Sequence, residues 1–400
     1  MAKVICIHIG ARAHYLLPKA IQASGKLHGM ITDTWIGSSL LRSILIALPI
    51  RSLRALAGRH SEDIPSSNVQ SLGLYFLVYD FYLRFKYSYS WTLIIARDKK
   101  FEHKAVQKMN RITGATTVCA ISYTALECFK AARQKSLKTV LFQVDPGLEE
   151  EHIVRELVSV TNTSTDWEPA PTSYWERWKE ECRMSDVIMV NSLWSKVGLV
   201  KQGIEADKIQ VIPLPFNVEQ RHEQFKRTYA SVFSIERPLR CLFLGTLALR
   251  KGIHLVLEAA SNMQDLPIEF ILVGRSEIPL SEIDLKNISY KGVVTREETE
   301  HYYQQADVFL FPTLSDGFGL TQLESMAWQL PVIATKNCGE VVQDAYNGWL
   351  IDPVNTEQLI VTLKTIIKDS DQIKLRSQNC LSTVKQFSVE KFTTDIAALL

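Results

Sequence analysis

The stretch Leu310-Phe-Pro-Thr-Leu-Ser-Asp-Gly-Phe-Gly-Leu-Thr-Gln-Leu-Glu324 predicts the turn around which the chain is organised. The apolar run 307–311 is typical of a buried parallel strand. A polar, glycine-bearing turn follows over 313–319, and a helix is predicted over 320–329. A second apolar strand begins near Pro331. This order of strand, glycine loop, helix and strand indicates an α/β protein.

The loop and the start of this helix are predicted to face a ligand. The first N–H groups of a helix have no partner inside it, so the amides of Gly317, Phe318 and Gly319 are expected to meet an anionic or polyhydroxyl ligand. Asp316 stands on the loop, and Glu324 stands about one turn into the helix. On residue types alone, a second interpretation is a solvated loop aspartate and an exposed helix glutamate.

The string from Asp316 to Ala327, D-G-F-G-L-T-Q-L-E-S-M-A, resembles the E-x7-E signature of retaining nucleotide-sugar glycosyltransferases of family 4. That signature usually reads E-G-F-G-L-x-x-L-E-A-M-A, so Asp316 replaces its first Glu. The resemblance implies that Glu324 binds the ribose hydroxyls and that Asp316 binds hydroxyls of the sugar ring. It also implies that the loop amides contact sugar and phosphate, and that Leu320 and Thr321 belong to the donor site.

Length and composition restrict the class of protein. The 400 residues, of which 46% are hydrophobic, suffice for two domains with a core each. The net charge of +2 gives no support to nucleic-acid binding. The seven scattered cysteines form no C-x-x-C pair, which favours a reducing, cytoplasmic compartment over a disulfide framework or a zinc ribbon. The sequence has no run of about 18 apolar residues that would cross a bilayer.

The first strand is predicted over 4–10, and the loop Gly10-Ala-Arg-Ala-His14 follows it. Ligands gather at the carboxyl ends of the strands in doubly wound sheets, so Gly10, Arg12 and His14 are predicted to face the cleft, on the acceptor side. A single glycine stands where dinucleotide-binding enzymes have G-x-G-x-x-G, so the nicotinamide fingerprint is absent.

A later strand of the first half, 139–144, ends in Gln143-Val-Asp145-Pro-Gly147. Family 4 enzymes often have T-x-H-G here, with the histidine facing the donor sugar, and this chain has Asp145 at that place. The resemblance thus makes Asp145 a candidate catalytic residue. A simple Asp-Pro turn is an equally good interpretation. Farther on, the polar stretch 162–173 is predicted to be a loop.

The segment 40–91 has two interpretations. Its first helix, predicted over 40–59, places arginines among leucines and isoleucines, and its second, predicted over 72–91, is crowded with tyrosine and phenylalanine. A basic amphipathic helix beside an aromatic one is typical of a membrane-surface patch, which would place the protein at the inner membrane face. The favoured alternative is that both helices cover the first sheet while the arginines extend to solvent.

A second phosphate-binding turn is predicted where the buried strand 240–245 runs into Gly245-Thr-Leu-Ala-Leu-Arg250-Lys251-Gly252. Basic residues at a helix N-terminus attract anions, so Arg250 and Lys251 are predicted to hold a diphosphate. A bare Arg-Lys-Gly is usually only a surface pair. The family often reads G-R-L-x-x-x-K-G; Thr246 replaces that Arg, and Arg250 is expected to supply the second charge.

Further donor-site residues and the domain limits follow from the same resemblance. Gly274 ends the strand 269–274, and Val293 and Val294 stand where the family packs its nucleobase. We predict three parts: an acceptor-binding domain over 1–215, a donor-binding domain over 216–386, and a C-terminal helix over 387–400 that packs back on the first domain.

The sequence therefore predicts a GT-B fold, with two Rossmann-like α/β domains facing each other across a cleft. The resemblance implies a retaining glycosyltransferase that moves a sugar from a UDP- or GDP-sugar to a sugar, a lipid or another hydroxylated acceptor, in polysaccharide, glycolipid or glycoconjugate synthesis. No cofactor and no metal are expected, because no D-x-D or histidine cluster stands where a cation would hold the diphosphate, and Arg250 with Lys251 can do so instead. The alternatives are a nucleotide-sugar epimerase on the same fold and a catalytically silent sugar-nucleotide-binding protein.

Overall fold

Two parallel β-sheets form the framework of the molecule, whose computed structural model describes residues 2–87, 90–160 and 167–400. The first sheet has seven strands in the order β3-β2-β1-β4-β5-β6-β7. Each neighbouring pair in it is parallel. Its strands are β1 Val4–His8, β2 Leu27–Thr32, β3 Val69–Ser71, β4 Thr117–Ile121, β5 Lys138–Gln143, β6 Val187–Val190 and β7 Ile209–Val211.

The second sheet has six parallel strands in the order β10-β9-β8-β11-β12-β13. Its strands are β8 Leu239–Leu244, β9 Ile268–Val273, β10 Ile288–Gly292, β11 Val308–Phe311, β12 Val332–Ala334 and β13 Gly348–Leu350. The central strands are apolar and buried throughout, as parallel strands covered on both faces must be. The strand, turn, helix and strand around Asp316 lie where the sequence predicts them.

Sixteen α-helices in the described ranges connect the strands and cover the sheets. Those of the first half are α1 Leu16–Ala23, α2 Ser39–Ala47, α3 Arg51–Ala57, α4 Gly73–Lys86, α5 Trp91–Met109, α6 Leu126–Gln134, α7 Leu148–Val160, α8 Thr172–Met184 and α9 Leu193–Lys201. The remaining ones are α10 Gln220–Gln224, α11 Ile253–Asn262, α12 Arg296–Gln305, α13 Leu320–Ala327, α14 Thr356–Lys368, α15 Asp371–Val384 and α16 Val389–Leu399.

The structure corrects two helix predictions and one loop prediction in the first half. The helix predicted over 40–59 is two helices, because Pro49 lies between α2 and α3 and cannot continue a helix. The helix predicted over 72–91 ends at Lys86 as α4, and Trp91 instead begins the long helix α5, which the sequence analysis missed; residues 88–89 lie outside the described ranges. The loop predicted over 162–173 lies partly outside them too, and α8 already begins at Thr172.

The C-terminal helix returns to the first half of the molecule. Helix α16 packs against α1. Lys26 Nζ donates to the carbonyl of Ala397 at 2.6 Å, and Lys138 Nζ donates to that of Leu399 at 2.7 Å. The last residues of the chain thus help to bury the first domain.

Two further observations bear on the class of protein. All seven cysteines are free and buried. No helix in the described ranges combines the length and the apolar character that a membrane span needs.

Candidate active site between the two sheets

A cavity of about 510 Å³, here called the central cavity, lies where the carboxyl ends of strands from both sheets meet. Ligand sites in open α/β sheets form at these strand ends. The first half contributes the residues Arg12, Ala13, Phe142, Val144, Asn191 and Leu214. The second half contributes Phe243, Leu244, Gly245, Thr246, Arg250, Lys251, Leu310, Phe311, Asp316, Phe318, Gly319, Leu320 and Thr321. Most of the predicted donor residues therefore line one space.

The turn after β8 presents Arg250 and Lys251 to the central cavity. A short 3₁₀ turn, Leu249–Lys251, leads into Gly252, whose φ of 76° is left-handed. A Cβ at Gly252 would lie 2.0 Å from the carbonyl oxygen of Pro312, so only glycine permits this approach of the two loops. The carbonyl of Arg250 accepts from Leu314 N at 2.8 Å, which ties this turn to the loop after β11.

The guanidinium of Arg250 faces the carboxylate of Glu150, with 3.9 Å between Nε and Oε1. Burial disfavours the charged form of Arg250, but Glu150 and the nearby carboxylates of Asp316 and Asp145 outweigh that effect and raise its pKa. Arg250 therefore stays cationic at the edge of the cavity, where an anionic ligand would meet it.

Lys251 and Asp316 form an ion pair across the central cavity wall. The two side chains are only 18% and 16% exposed. Lys251 Nζ also lies over the ring of Phe311, 5.4 Å from its centroid. The sequence predicts that Lys251 binds phosphate and that Asp316 binds the sugar. In the structure these two side chains bind each other.

The N-terminus of α13 opens onto the central cavity through Gly319, Leu320 and Thr321. Its unpaired amides and its dipole add to the attraction that the cavity exerts on anions. Gly317 has a different place: a Cβ there would lie 2.0 Å from the carbonyl oxygen of Val144. This glycine lets the loop pack against the first domain, and it does not line the central cavity.

The loop after β1 adopts a left-handed backbone over three residues without glycine: φ is 45° at Ala13, 51° at His14 and 60° at Tyr15. Each such residue costs on the order of 1–3 kcal/mol, a strain that clusters at functional sites. Arg12 lines the central cavity. His14 instead meets Arg296 of the second domain, 2.9 Å from Nε2 to Nη1, and Gly10 N donates to Asp33 at 2.8 Å.

Asp145 forms a turn and also faces a cavity, so both interpretations of this residue apply. Its Oδ1 accepts from Tyr123 Oη at 2.5 Å, from Gln143 Nε2 at 2.9 Å and from Gly147 N at 2.9 Å. It lines a second cavity of about 220 Å³, which adjoins the central one at Arg250.

Besides Gly317, four predicted donor residues do not line the central cavity. Glu324 accepts from Tyr303 Oη at 2.9 Å, which holds the carboxylate in place. Gly274 packs against Gly245, since a Cβ there would lie 1.9 Å from the carbonyl oxygen of Gly245. Val293 is 53% exposed, and Val294 packs at the edge of the core.

Glu150 is a site residue that the sequence analysis missed. Its Oε2 accepts from Ser315 Oγ at 3.0 Å, so this residue of α7 contacts the loop after β11. Burial raises the pKa of Glu150 to about 7, and Arg250 only partly opposes this shift. The sequence has three consecutive glutamates, 149–151, and nothing in it singles out the middle one.

Within residues 2–87, 90–160 and 167–400, no group of three or more His, Cys, Asp or Glu side chains is placed to hold a metal ion. The positive charge at the central cavity comes from Arg250, Lys251 and Arg12.

Known structures with this architecture define the fold class. Sucrose-phosphate synthase from Thermosynechococcus elongatus superimposes with a TM-score of 0.71 and 17% identity over 100% of this chain and 98% of that one. Anabaena HepE, solved in complex with UDP-glucose, gives 0.63 and 16% over 100% of this chain and 99% of that one. The predicted GT-B fold is confirmed.

Sequence comparison shows which known proteins parts of this chain resemble. Residues 238–369 match the family model described as Glycosyl transferases group 1. An uncharacterised glycosyltransferase of Methanocaldococcus jannaschii is 28% identical over 158 residues, 38% of this chain and 44% of the relative. The amylovoran biosynthesis glycosyltransferase AmsK of Erwinia amylovora is 24% identical over 194 residues, 44% of this chain and 46% of the relative. The chain spans about half the length of the curated relatives it matches. The fold is therefore that of GT-B proteins, and residues 238–369 are similar to group 1 glycosyltransferases.

Proposed function

We propose that this protein is a retaining family 4 glycosyltransferase that transfers a sugar from a UDP- or GDP-sugar to a hydroxylated acceptor in polysaccharide or glycoconjugate synthesis. The observation that carries this proposal is the joint position of Arg250, Lys251 and the N-terminus of α13 on one cavity of about 510 Å³ between two Rossmann-like sheets. Similarity to a structure with bound UDP-glucose and to a glycosyltransferase of amylovoran biosynthesis supports the same class of donor and product.

The proposed chemistry is a substitution at the anomeric carbon of the donor sugar. The bond from that carbon to the β-phosphate oxygen breaks, a bond from the acceptor oxygen forms, and the acceptor proton leaves with the diphosphate. Charge develops on the leaving diphosphate, and the cations of Arg250 and Lys251 and the α13 amides would stabilise it. Holding donor and acceptor together contributes roughly 7–11 kcal/mol to lowering the barrier.

Nucleotide binding gives the first test. Arg250→Ala and Lys251→Ala should each weaken UDP or GDP binding by about 1.5–3 kcal/mol, because each removes a charge-assisted contact. Calorimetry measures this, with Arg183→Ala as the control, since that arginine is 65% exposed and pairs with Glu180 on the surface of α8. Wild-type affinity for both nucleotides in both variants removes the diphosphate assignment.

Product analysis separates the reaction from its alternatives. Incubation with UDP- and GDP-sugars and candidate acceptors should release nucleotide only when an acceptor is present, and the new linkage should keep the donor's anomeric configuration. An epimerised free sugar without acceptor favours the epimerase. Nucleotide binding without release of any product favours a silent binding protein. Full activity in the presence of a chelator is expected, because the proposal assigns the diphosphate to side-chain cations.

We also propose that the protein contacts an anionic membrane surface, at the inner face, through α2 and α4. Large apolar side chains are exposed there, among them Leu40 at 71%, Leu74 at 75%, Phe81 at 73% and Phe85 at 86%. Cations stand beside the aromatic side chains: Lys86 lies over Tyr82, and Lys100 and Lys104 lie over Tyr75. Exposed aromatic rings flanked by lysines suit an anionic lipid interface.

Vesicle sedimentation tests the membrane contact. Binding to vesicles rich in phosphatidylglycerol at low salt should fall at high salt and in a variant with Phe81→Ser and Phe85→Ser. Tyr346→Ser, which alters an exposed aromatic residue of the second half, is the control. No binding at low salt rejects this contact and leaves packing on the sheet as the role of these helices.

A further inference from the structure

The second cavity, about 220 Å³ in volume, is lined by a group of aromatic side chains together with acidic ones, and is here called the aromatic cavity. Trp91 at the start of α5, Tyr123 after β4, and Tyr174 and Trp175 on α8 form its first-domain wall. The second domain closes it with the turn that contains Arg250. Its volume is below the usual range for drug-sized ligands and suits a group of about one ring.

Contacts with neighbouring rings and hydrogen bonds hold the aromatic side chains of this cavity in place. Tyr174 stacks on Tyr123, with centroids 5.4 Å apart, and meets Trp175 edge-on at 5.3 Å. The polar atom of each neighbouring ring is already bonded: Trp175 Nε1 donates to Glu151 at 3.0 Å, and Trp91 Nε1 donates to the carbonyl of Glu168 at 3.0 Å. The ring faces therefore form a fixed apolar platform.

The position of Tyr123 is strained and yet firmly held. Its φ is 73°, a left-handed backbone that costs on the order of 1–3 kcal/mol for a residue with a side chain. The buried carboxylate of Glu181 accepts from Tyr123 N at 2.7 Å and from Ala125 N at 2.8 Å, which stabilises this turn. Strain that is maintained in this way at a cavity wall is typical of a functional position.

Four carboxylates line the aromatic cavity, those of Asp145, Glu150, Glu151 and Glu277. Asp145 and Glu150 are the two that supply acceptors for hydroxyl groups. Within the described residues, the three hydrogen bonds to the side chain of Asp145 all go to Oδ1, which leaves Oδ2 available. Glu150 lines the same cavity and reaches both Ser315 and Arg250. Arg250 also lines the central cavity, so the two spaces share this residue as a wall.

We propose that the aromatic cavity is the acceptor site and that it takes a neutral pyranose ring, with Glu150 and Asp145 accepting from its hydroxyl groups. A pyranose has an apolar C–H face that packs on an aromatic ring, and a rim of hydroxyl donors that carboxylates bind. Four carboxylates beside one arginine disfavour an anionic ligand such as a second nucleotide. The inference rests on the proposed function, because the shared wall at Arg250 brings the acceptor to the donor site.

Binding of methyl pyranosides to the whole chain tests this inference. Saturation-transfer NMR with methyl glucoside, mannoside and galactoside should show saturable binding that excess UDP does not displace. Tyr174→Ala should weaken it at least about tenfold because the stacking surface is lost, whereas Tyr174→Phe should retain it. Tyr346→Ala is the control on the surface of the second half.

Glu150→Gln gives a second readout, with effects of opposite sign. The measurement is made about one pH unit above the pKa of Glu150, which burial raises to about 7, so that the wild-type side chain is ionised. Pyranoside binding should weaken because a charged acceptor of hydroxyl hydrogen bonds is lost, while UDP binding should strengthen because Arg250 no longer faces a carboxylate. General damage to the fold would weaken both. Absence of pyranoside binding to the wild-type chain, displacement of the pyranoside by UDP, or unchanged binding in Tyr174→Ala overturns the acceptor site. Failure of UDP to bind instead contradicts the donor site, so the two proposals fail separately.

Discussion

The ion pair of Lys251 with Asp316 changes what each residue is expected to do. Asp316 is a methylene shorter than the glutamate of the signature, so its carboxylate reaches about 1.5 Å less far into the cavity from the same backbone. In the structure it meets the lysine. A bound donor would therefore either break this ion pair or leave it intact, with the phosphate at Lys251 and a sugar hydroxyl at Asp316.

Asp316→Asn should lower turnover at least about tenfold, which corresponds to a charge-assisted contact of about 1.5–3 kcal/mol. Nucleotide affinity should be unchanged or higher, because Lys251 loses its partner and faces the diphosphate alone. Asp316→Glu should keep part of the activity. Turnover and nucleotide affinity are measured side by side; wild-type turnover in Asp316→Asn would show that the carboxylate is only a loop residue.

At the residue scale we also expect the stability of the protein to fall in acid because of His254, on α11. Neither ring nitrogen has a hydrogen-bond partner in the described part of the chain. Burial lowers the pKa of His254 from 6.5 to about 4, although Glu258 opposes this shift. A base whose pKa is lowered by folding binds its proton better in the unfolded chain. Its contribution to stability is therefore complete above pH 6.5 and is lost as the pH falls from 6.5 to about 4.

His254→Leu should reduce that loss. Urea denaturation at steps between the two pH values should show a smaller decrease of the unfolding free energy than in the wild type. His103→Leu, at an exposed position on α5, provides the comparison. An identical pH dependence in His254→Leu and the wild type would mean that this histidine is not responsible.

At the scale of elements, the turn after β8 and the loop after β11 act as one unit. The carbonyl of Arg250 accepts from both Leu314 N and Thr313 Oγ1. Gly252 packs against Pro312 at the base of this contact. The position of the cations therefore depends on a backbone contact between two strand ends that lie about 60 residues apart in the sequence.

Gly252→Ala should destabilise the protein more than Gly25→Ala. Both glycines have similar left-handed backbones, φ 76° and 70°, so alanine suffers about the same conformational penalty at either position. Only at Gly252 does the new Cβ meet another atom, 2.0 Å away, while at Gly25 nothing lies within 4 Å. The clash should add at least about 1 kcal/mol to the loss of unfolding free energy. Equal denaturation midpoints for the two variants would argue against the close approach.

At the scale of the whole molecule, helix α16 brings the C-terminal segment into contact with the first domain. Helix α16 belongs to the last 14 residues but packs on α1. Its Phe392 is 2% exposed. The packing of the first domain thus includes a helix that follows the second domain in the sequence.

Phe392→Ala should lower the unfolding free energy by about 3–5 kcal/mol, because it leaves a cavity in the buried face of α16. Val361→Ala, at a position that is 55% exposed on α14, should change it by less than about 0.5 kcal/mol. Hydrogen exchange should show faster opening of β1 and α1 in Phe392→Ala. Protection of β1 at the wild-type level would mean that α16 is not part of the first domain's core.

The sequence by itself determined the parallel α/β architecture and the strand–turn–helix unit around Asp316. It also indicated that Arg250 and Lys251 follow a buried strand. These inferences succeed because apolar runs, turn residues and helix starts are local, and because parallel strands bring their carboxyl ends to one edge. The break at Pro49 was readable from the same rules and was overlooked.

Only the tertiary structure decided which side chains meet. The Lys251–Asp316 pair, the approach of Glu150 to Ser315 and the aromatic cavity join residues from distant segments and, in the last two cases, from both domains. Local patterns do not contain such contacts, because they depend on how two sheets are oriented and on which loop conformations their packing allows. For the same reason, only the folded structure shows that apolar side chains of α4 are exposed and that α16 packs against α1.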